Sequence, residues 1–504
     1  RTGVWSAVID RDLSGHYYTY LVDVHVDGFG LVRNRVTDPY AVSLTSDSRR
    51  GYVANLQSSR LKPADWDRTQ SPQSVQAATD AVIYELHVRD FSVGDETVRP
   101  DYRGKYLAFT LHDTDGMRQL QALAAAGITD VHLLPVFDFG SVPELGCVTP
   151  SPAGTRDGET QQQAVSAVSA HDCFNWGYDP VHFTAPEGSY ATDPADGAVR
   201  IVEFRRMVQA LHRAGLRVGM DVVYNHTYAS GQDRWSVLDR IVPGYYHRLD
   251  EAGRVATSTC CANTATEHRM MAKLMLDSAV TWARDYRIDS FRFDLMGHQP
   301  RAAMAELQAR VNAATGRNVL LVGEGWNFGE VADGARFVQA SQLGLDGSGI
   351  ATFSDRARDA IRGGGAGDGD ARQVSAQGYV NGLHYDRNAA APADTSATDL
   401  MRAADLVRVG LAGSLRDFRL ATFDGRELPL AQIPYGVGQP AGYVTSPGEV
   451  VNYVENHDNQ TLYDLNAFKL PLGTSTAERA RVQILAAALN AFSQGIAYFH
   501  AGME

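Results

Sequence analysis

The chain has 504 residues, 44% of them hydrophobic and 21% charged, an ordinary globular composition long enough for one large domain and a smaller one. Its 59 acidic residues against 46 basic ones give a formal charge of −13, which argues against nucleic acid as the main partner. No apolar run reaches the ~18 residues of a membrane helix, so no span is expected.

Residues 1–80 carry short alternating runs such as "YYTYLVDVHV", broken by Gly, Asp and Asn. That pattern predicts part of a small all-β sandwich, followed by a polar connection over 57–74. From about residue 81 the character changes, and strand-like runs alternate with amphipathic helical ones. "AVIYELHVRDF" leads to the helical "GMRQLQALAAAG" and then to "ITDVHLLPVF". Helix "EFRRMVQALHRAG" precedes "LRVGMDVVYNH", and "EHRMMAKLMLDSAVTWARDY" precedes "IDSFRFDLMG". "RAAMAELQARVNAATG" precedes "NVLLVGEGW", and three more strands follow in "GSGIATFS", "EVVNYVENHD" and "GIAYFHAG". Parallel strands with crossover helices follow from this order. The fold class is α/β, and eight units suit a (β/α)8 TIM barrel over 81–504 better than a Rossmann-like sheet, whose glycine fingerprint is missing after the first strand. "RGGGAGDGD" follows no strand directly and reads as a flexible loop. Long insertions near 140–200 and 363–447 are candidates to shape a cleft, because active-site loops follow the C-terminal ends of barrel strands.

Cys147, Cys173, Cys260 and Cys261 have no zinc-site spacing. The first two flank a polar loop as either a disulfide or two thiols; the adjacent pair either closes an eight-membered ring or stays reduced. Paired cysteines on loops favour an oxidising compartment, so a secreted or periplasmic location is expected over a cytoplasmic one. The chain opens without Met and stops just past an apolar, strand-like segment, so a barrel cut at its C-terminal end is expected.

Four strands end in polar clusters: "DVVYNH" with Asp221, Asn225 and His226; "FRFD" with Arg292 and Asp294; "GEGW" with Glu324 and Trp326; "ENHDN" with His457 and Asp458. One such Asp would be read as a helix cap. Several carboxylates converging on one barrel mouth repel one another, a cost that points to function. Paired carboxylates in a sugar-sized cleft suggest glycoside hydrolysis, one attacking the anomeric carbon and the other protonating the leaving oxygen. Arg292 is expected to keep Asp294 ionised, and burial with charged neighbours to raise the acid.

"DVVYNH", "FRFDLMG", "GEGW" and "NHDN" resemble the four ordered signature regions of the alpha-amylase superfamily of retaining glycosidases. "FNWGYDP" followed by "PEGSYATDP" resembles the hallmark of its type I pullulanase and limit dextrinase branch, with Phe174 where Tyr is usual. The similarity runs over nearly the whole chain. It implies Asp294 as nucleophile, Glu324 as general acid/base and Asp458 as transition-state stabiliser. By the same resemblance Arg292 positions Asp294, and His226 and His457 hydrogen-bond the glycone sugar. Tyr178 stacks on that sugar, Trp326 lies on the leaving-group side, and Trp176 and Asp179 belong to the substrate-binding set. For Asp221 and Asn225 a structural role beneath the site stands beside a direct one. The branch also implies a starch-binding-type module over 1–80 and, past Glu504, a closing helix and a C-terminal β-sandwich. The expected activity is retaining hydrolysis of α-1,6 branch linkages in pullulan, limit dextrins and amylopectin-like glucans by a monomer. An isoamylase or α-1,4-acting relative is the alternative. No cofactor is needed for the chemistry; structural calcium is expected by family habit, with no metal ligands assignable from the sequence. A non-catalytic glucan-binding relative would have lost a carboxylate, and all three are present.

Overall fold

The computed structural model describes residues 7–155, 158–436 and 438–504. Eight parallel strands close into a barrel: β1 Val82–Leu86, β2 Asp130–Leu133, β3 Arg217–Val222, β4 Ser290–Phe293, β5 Leu320–Gly323, β6 Ala351–Phe353, β7 Val450–Asn452 and β8 Ile496–His500. They are the eight runs the sequence singles out, in the same order, and β8 pairs back onto β1 through Ala497–Val82 to His500–Glu85. Covered on both faces, such strands read as near-continuous apolar runs; all residues of β2, β3, β4 and β5 are buried.

Crossover helices wrap the barrel: α1 Asp115–Ala126, α2 Gly197–Arg213, α3 Arg269–Asp285 and α4 Arg301–Thr315, with α5 Asp355–Arg362 after β6 and α6 Thr476–Ala491 before β8. In α3 the buried Met271, Leu274, Met275, Ser278, Ala279 and Trp282 recur at three- and four-residue spacing, the stripe that faces a core. Trp282 also donates its indole N–H to the Phe183 carbonyl at 2.8 Å, so its burial leaves no polar atom unpaired. The β5–β6 connection departs from the pattern, with only a 3-10 stretch, Gly329–Gly334, in place of an α-helix.

Over the described part of 1–80, where a partial sandwich is expected, there is one antiparallel hairpin, Tyr20–Val26 with Gly30–Val36. A two-residue pair of Tyr17–Tyr18 with Gly51–Tyr52 lies beside it. Val36 packs with Val181 and Val237 of the barrel insertions. The 140–200 insertion is closed by a Cys147–Cys173 disulfide and returns through the strand Pro180–Pro186, which pairs with Phe137–Phe139. Cys260 and Cys261 are bonded to each other. The glycine run after Arg362 is a loop, as its composition implies, and its Ala366 reaches the barrel mouth.

Candidate active site

Strand β4 places Arg292 between Asp221 of β3 and Val322 of β5 in register. The side chain is fully buried, which a guanidinium tolerates only when paired. Nη1 lies 3.1 Å from the Asp221 carboxylate and 3.3 Å from Asp294 Oδ1, and Nη2 approaches Glu324 Oε1 at 2.7 Å, an ion pair off the hydrogen-bond axis. One cation therefore serves three carboxylates.

Burial, then the charge of Glu324, push Asp294 up to about 8 despite the pull of Arg292. Burial likewise lifts Asp221 to about 6. Glu324 accepts the Leu295 backbone N–H at 2.9 Å as well as facing Arg292. Arg292 favours the Asp294 anion, as expected, and two other carboxylates draw on the same guanidinium.

The turn after β4 builds this arrangement. Leu295 adopts φ 40°, ψ 50°, a left-handed conformation rare for a branched side chain, and its N–H thereby reaches Glu324. Gly297 donates its N–H to the Glu324 carbonyl at 2.9 Å, and a Cβ there would sit 2.0 Å from the Trp326 carbonyl oxygen. The "MG" of the β4 motif and the "GEGW" of β5 are thus halves of one contact. Asn225 donates its amide to Asp294 Oδ2 and to His226 Nδ1, both at 2.9 Å, and so holds the Asp294 carboxyl in place. Asp221 sits beneath, holding Arg292 and accepting the Tyr178 hydroxyl.

The expected histidines differ in their surroundings. His226 is buried, its Nε2 facing the Tyr178 carbonyl at 2.6 Å and its Nδ1 engaged by Asn225. Burial lowers it to about 4. Both ring nitrogens have partners within the protein, and through Nε2 the ring holds the Tyr178 backbone. For His457 burial opposes the charged ring, yet Glu85 raises it to about 9. Its Nδ1 lies 2.7 Å from Glu85 Oε1, and its backbone N–H donates to Oε2 at 2.8 Å. Nε2 is left 3.7 Å from Asp458 Oδ1. Tyr178 stacks on this ring with centroids 4.9 Å apart, and Trp176 meets it edge-on at 5.2 Å.

Asp458 is exposed and lines, with Glu324, Trp326, Asp355, Arg358 and Asn456, a cavity of about 360 Å³. Asp179 is the member of the expected set that the fold turns away. It is buried, its carbonyl accepts Gly140 N–H at 3.1 Å, and burial lifts its carboxyl to about 7. Among the described residues nothing ties it to the catalytic-type carboxylates, because "YDP" enters the strand that pairs with Phe137–Phe139. Glu85 was missed from sequence. A Glu inside the apolar "VIYEL" is the signal that would have found it, since a buried carboxylate demands a cationic partner.

Two buried trios of metal-capable side chains occur among the described residues besides the bonded cysteines with His226: Glu85, Asp221 and His457, and Asp138, Glu144 and Glu187. Neither fits a calcium ion. Arg292 and the charged His457 occupy the first, and Arg200 reaches Glu144 and Asp138 in the second. A hard cation would have to displace a buried cation from its oxygens.

This geometry can be set beside known proteins. Pullulanase 1, chloroplastic, of Arabidopsis thaliana is 43% identical over 520 residues, covering all of this chain and 53% of that protein. The chain belongs to the pullulanase family. The pullulanase of Klebsiella pneumoniae is 42% identical over 549 residues, covering the whole chain and 50% of that protein. The crystal structure of the maltotriose complex of PulA from Klebsiella pneumoniae matches with a TM-score of 0.92 at 40% identity, over 97% of this chain and 57% of that one. No protein-family model matches. The chain spans about half the length of the curated pullulanases it resembles. Isoamylase 3, chloroplastic, of rice is 31% identical over only 51% of this chain, so whole-chain likeness separates the pullulanases from that relative. No helix of the described residues is long and apolar enough to cross a membrane.

Proposed function

We propose that this chain is the catalytic part of a pullulanase-type debranching enzyme, hydrolysing α-1,6 glucosidic linkages in α-glucans with retention. The observation that carries this reading is the convergence of Asp294 and Glu324 on one guanidinium, at 3.3 and 2.7 Å, with Glu324 lining a cleft shared by Asp458 and Trp326. Both carboxylates then face one side chain, the close pairing that a retaining mechanism uses.

In the first step an Asp294 oxygen attacks the anomeric carbon, the bond to the leaving oxygen breaks, and Glu324 gives that oxygen its proton. In the second, Glu324 takes a proton from water, whose oxygen attacks the same carbon and releases Asp294. The reactive form thus needs a proton on Glu324 and the charge on Asp294. Asp458, with the charged His457 beside it, would hold hydroxyls of the distorting sugar, and the stacked Tyr178 would give that sugar an apolar floor. No cofactor enters these steps. Two disulfides support function outside a reducing cytoplasm.

Digestion of pullulan with product sizing tests the reading. Release of maltotriose is the expected result. Intact pullulan together with cleaved amylose would assign the chain to α-1,4 hydrolysis instead.

A further inference from the structure

A second cavity, of about 500 Å³, lies where the N-terminal hairpin meets the barrel insertions. It shares no lining residue with the cleft of Glu324 and Asp458. Val36 of the hairpin, with Val181 and Val237, gives it an apolar floor. Two aromatic rings line it as well, Tyr228 and Trp235, set edge to face with centroids 6.0 Å apart. Tyr228 is seated on Gly140, where a Cβ would collide with its ring. Trp235 packs against the valines, and its backbone N–H donates to Asp233 at 2.8 Å. Asn34 of the hairpin donates its amide to the Arg240 carbonyl at 3.0 Å, so the loop that carries Trp235 is tied to the hairpin.

Four arginines line the same cavity. Arg49 pairs with Asp47 at 3.0 Å, and that carboxylate, the one in the lining among the described residues, also accepts the Glu144 backbone N–H at 3.2 Å. Arg35, Arg234 and Arg240 have no carboxylate partner among the described residues. The Arg234 guanidinium lies over the Trp235 ring, 4.7 Å from its centroid. Arg240 donates Nη1 to the Arg234 carbonyl at 3.4 Å, while its Nε is buried with no partner. Ser236, beside them in the lining, is 1% exposed, and its hydroxyl also finds no partner. In a chain of formal charge −13, three unneutralised guanidiniums on one cavity repel one another unless an anion joins them. Their planar forks match the oxygens of a phosphate. The apolar floor and the two rings suit a body with C–H faces.

We propose that this cavity binds a sugar phosphomonoester, the phosphate held by Arg35, Arg234, Arg240 and the Ser236 hydroxyl, and the sugar ring held against Trp235 and Tyr228. The cleft of Glu324 is unsuited to such a group, because Glu324, Asp355, Asp359 and Asp458 line it against the single Arg358. A free sugar phosphate and a phosphate carried on a glucan chain offer the same chemistry. Binding here is independent of the hydrolytic reading above.

Calorimetric titration of the whole chain at low ionic strength, with glucose 6-phosphate, inorganic phosphate and glucose, tests the site. Saturable binding of glucose 6-phosphate at about 1 mM or tighter is expected, with inorganic phosphate about tenfold weaker and glucose weaker still. In Arg35→Gln/Arg234→Gln, whose altered side chains are both exposed, glucose 6-phosphate should bind about tenfold more weakly. Trp235→Ala should weaken glucose 6-phosphate and leave inorganic phosphate within about twofold; should it fold poorly, the two-arginine variant decides alone. Absence of saturable binding of glucose 6-phosphate up to about 10 mM overturns the proposal. So does an affinity unchanged in the two-arginine variant, which would place the ligand elsewhere, or equal affinity for inorganic phosphate, which would leave the sugar without a contact. A phosphorylated dextrin, titrated beside its phosphatase-treated form, separates the two sources. A phosphate-dependent affinity above that of glucose 6-phosphate assigns the ester to a glucan chain, and one no higher assigns it to a free sugar phosphate.

Discussion

Asp294 and Glu324 face one guanidinium, and most of what the site does at the residue scale follows from that. Replacing Asp294 by Asn keeps the shape and removes the nucleophile. Hydrolysis should fall by about 10⁴-fold or more, while calorimetric titration with a linear maltooligosaccharide still detects binding; measurable turnover near the original rate would remove the assignment. The nucleophile's ionisation is visible in the pH profile. Asp294 attacks as the anion, and in the free site burial and the charge of Glu324 push it up to about 8. As pH rises through that value Asp294 ionises, so kcat/KM should climb toward pH 8. In Glu324→Gln, assayed with an aryl glycoside that leaves without acid help, that rise should move to lower pH. Asp294 is there relieved of the neighbouring charge that raises it. A rise that stays at the same pH would assign it to another group.

At the scale of elements, β4 and its turn show how local geometry serves the chemistry. The alternation of "SFRFD" was readable because a strand sends successive side chains to opposite faces, and Phe291 and Phe293 are fully buried among the apolar core. Less readable was the turn: nothing in "DLMGH" announces that Leu295 takes a left-handed conformation, and its N–H finds Glu324 only once β5 lies alongside. Gly297 is the residue where both levels meet. Its φ is ordinary, and its constraint is space, with the Trp326 carbonyl 2.0 Å from where a Cβ would be. Gly297→Ala should therefore push the β5 loop outward, costing about 2 kcal/mol or more of stability as an overpacked site. It should also lower kcat more than an exposed substitution of equal stability cost, because Glu324 moves with that loop. Melting and kinetics measured together check it, and a variant with native kcat would show that the loop is free of the turn. The hairpin of 20–36 marks the opposite limit of legibility. Alternation gave its strands, while the partner surface, supplied by Val181 and Val237 from distant insertions, left no local trace.

Across the whole molecule, the barrel is closed by a polar seam as well as by backbone pairing. Glu85 on β1 receives the His457 ring and backbone N–H after β7, and accepts the Tyr498 hydroxyl of β8 at 2.9 Å. Three adjacent strands thus meet on one carboxylate, which single-strand patterns cannot reveal since each partner is hundreds of residues away. Burial alone would raise Glu85, yet His457 holds it at about 2, while His457 rises to about 9. The signs give a pH window. The raised histidine contributes stability in full below its ordinary value of 6.5, and that contribution is lost as pH climbs through about 9. The lowered carboxylate contributes above its ordinary 4.5 and loses its share as pH falls toward 2. The seam is strongest between about pH 4.5 and 6.5. Glu85→Gln removes the charge and leaves His457 buried without its counter-ion, so the ring deprotonates. By linkage the cost at pH 6 is about 3 kcal/mol, shrinking toward zero above pH 9. Denaturant unfolding of both proteins at pH 6 and pH 9.5 measures it. A stability difference that stays constant between those pH values would show that the seam holds through hydrogen bonding alone and that His457 is neutral in the folded chain.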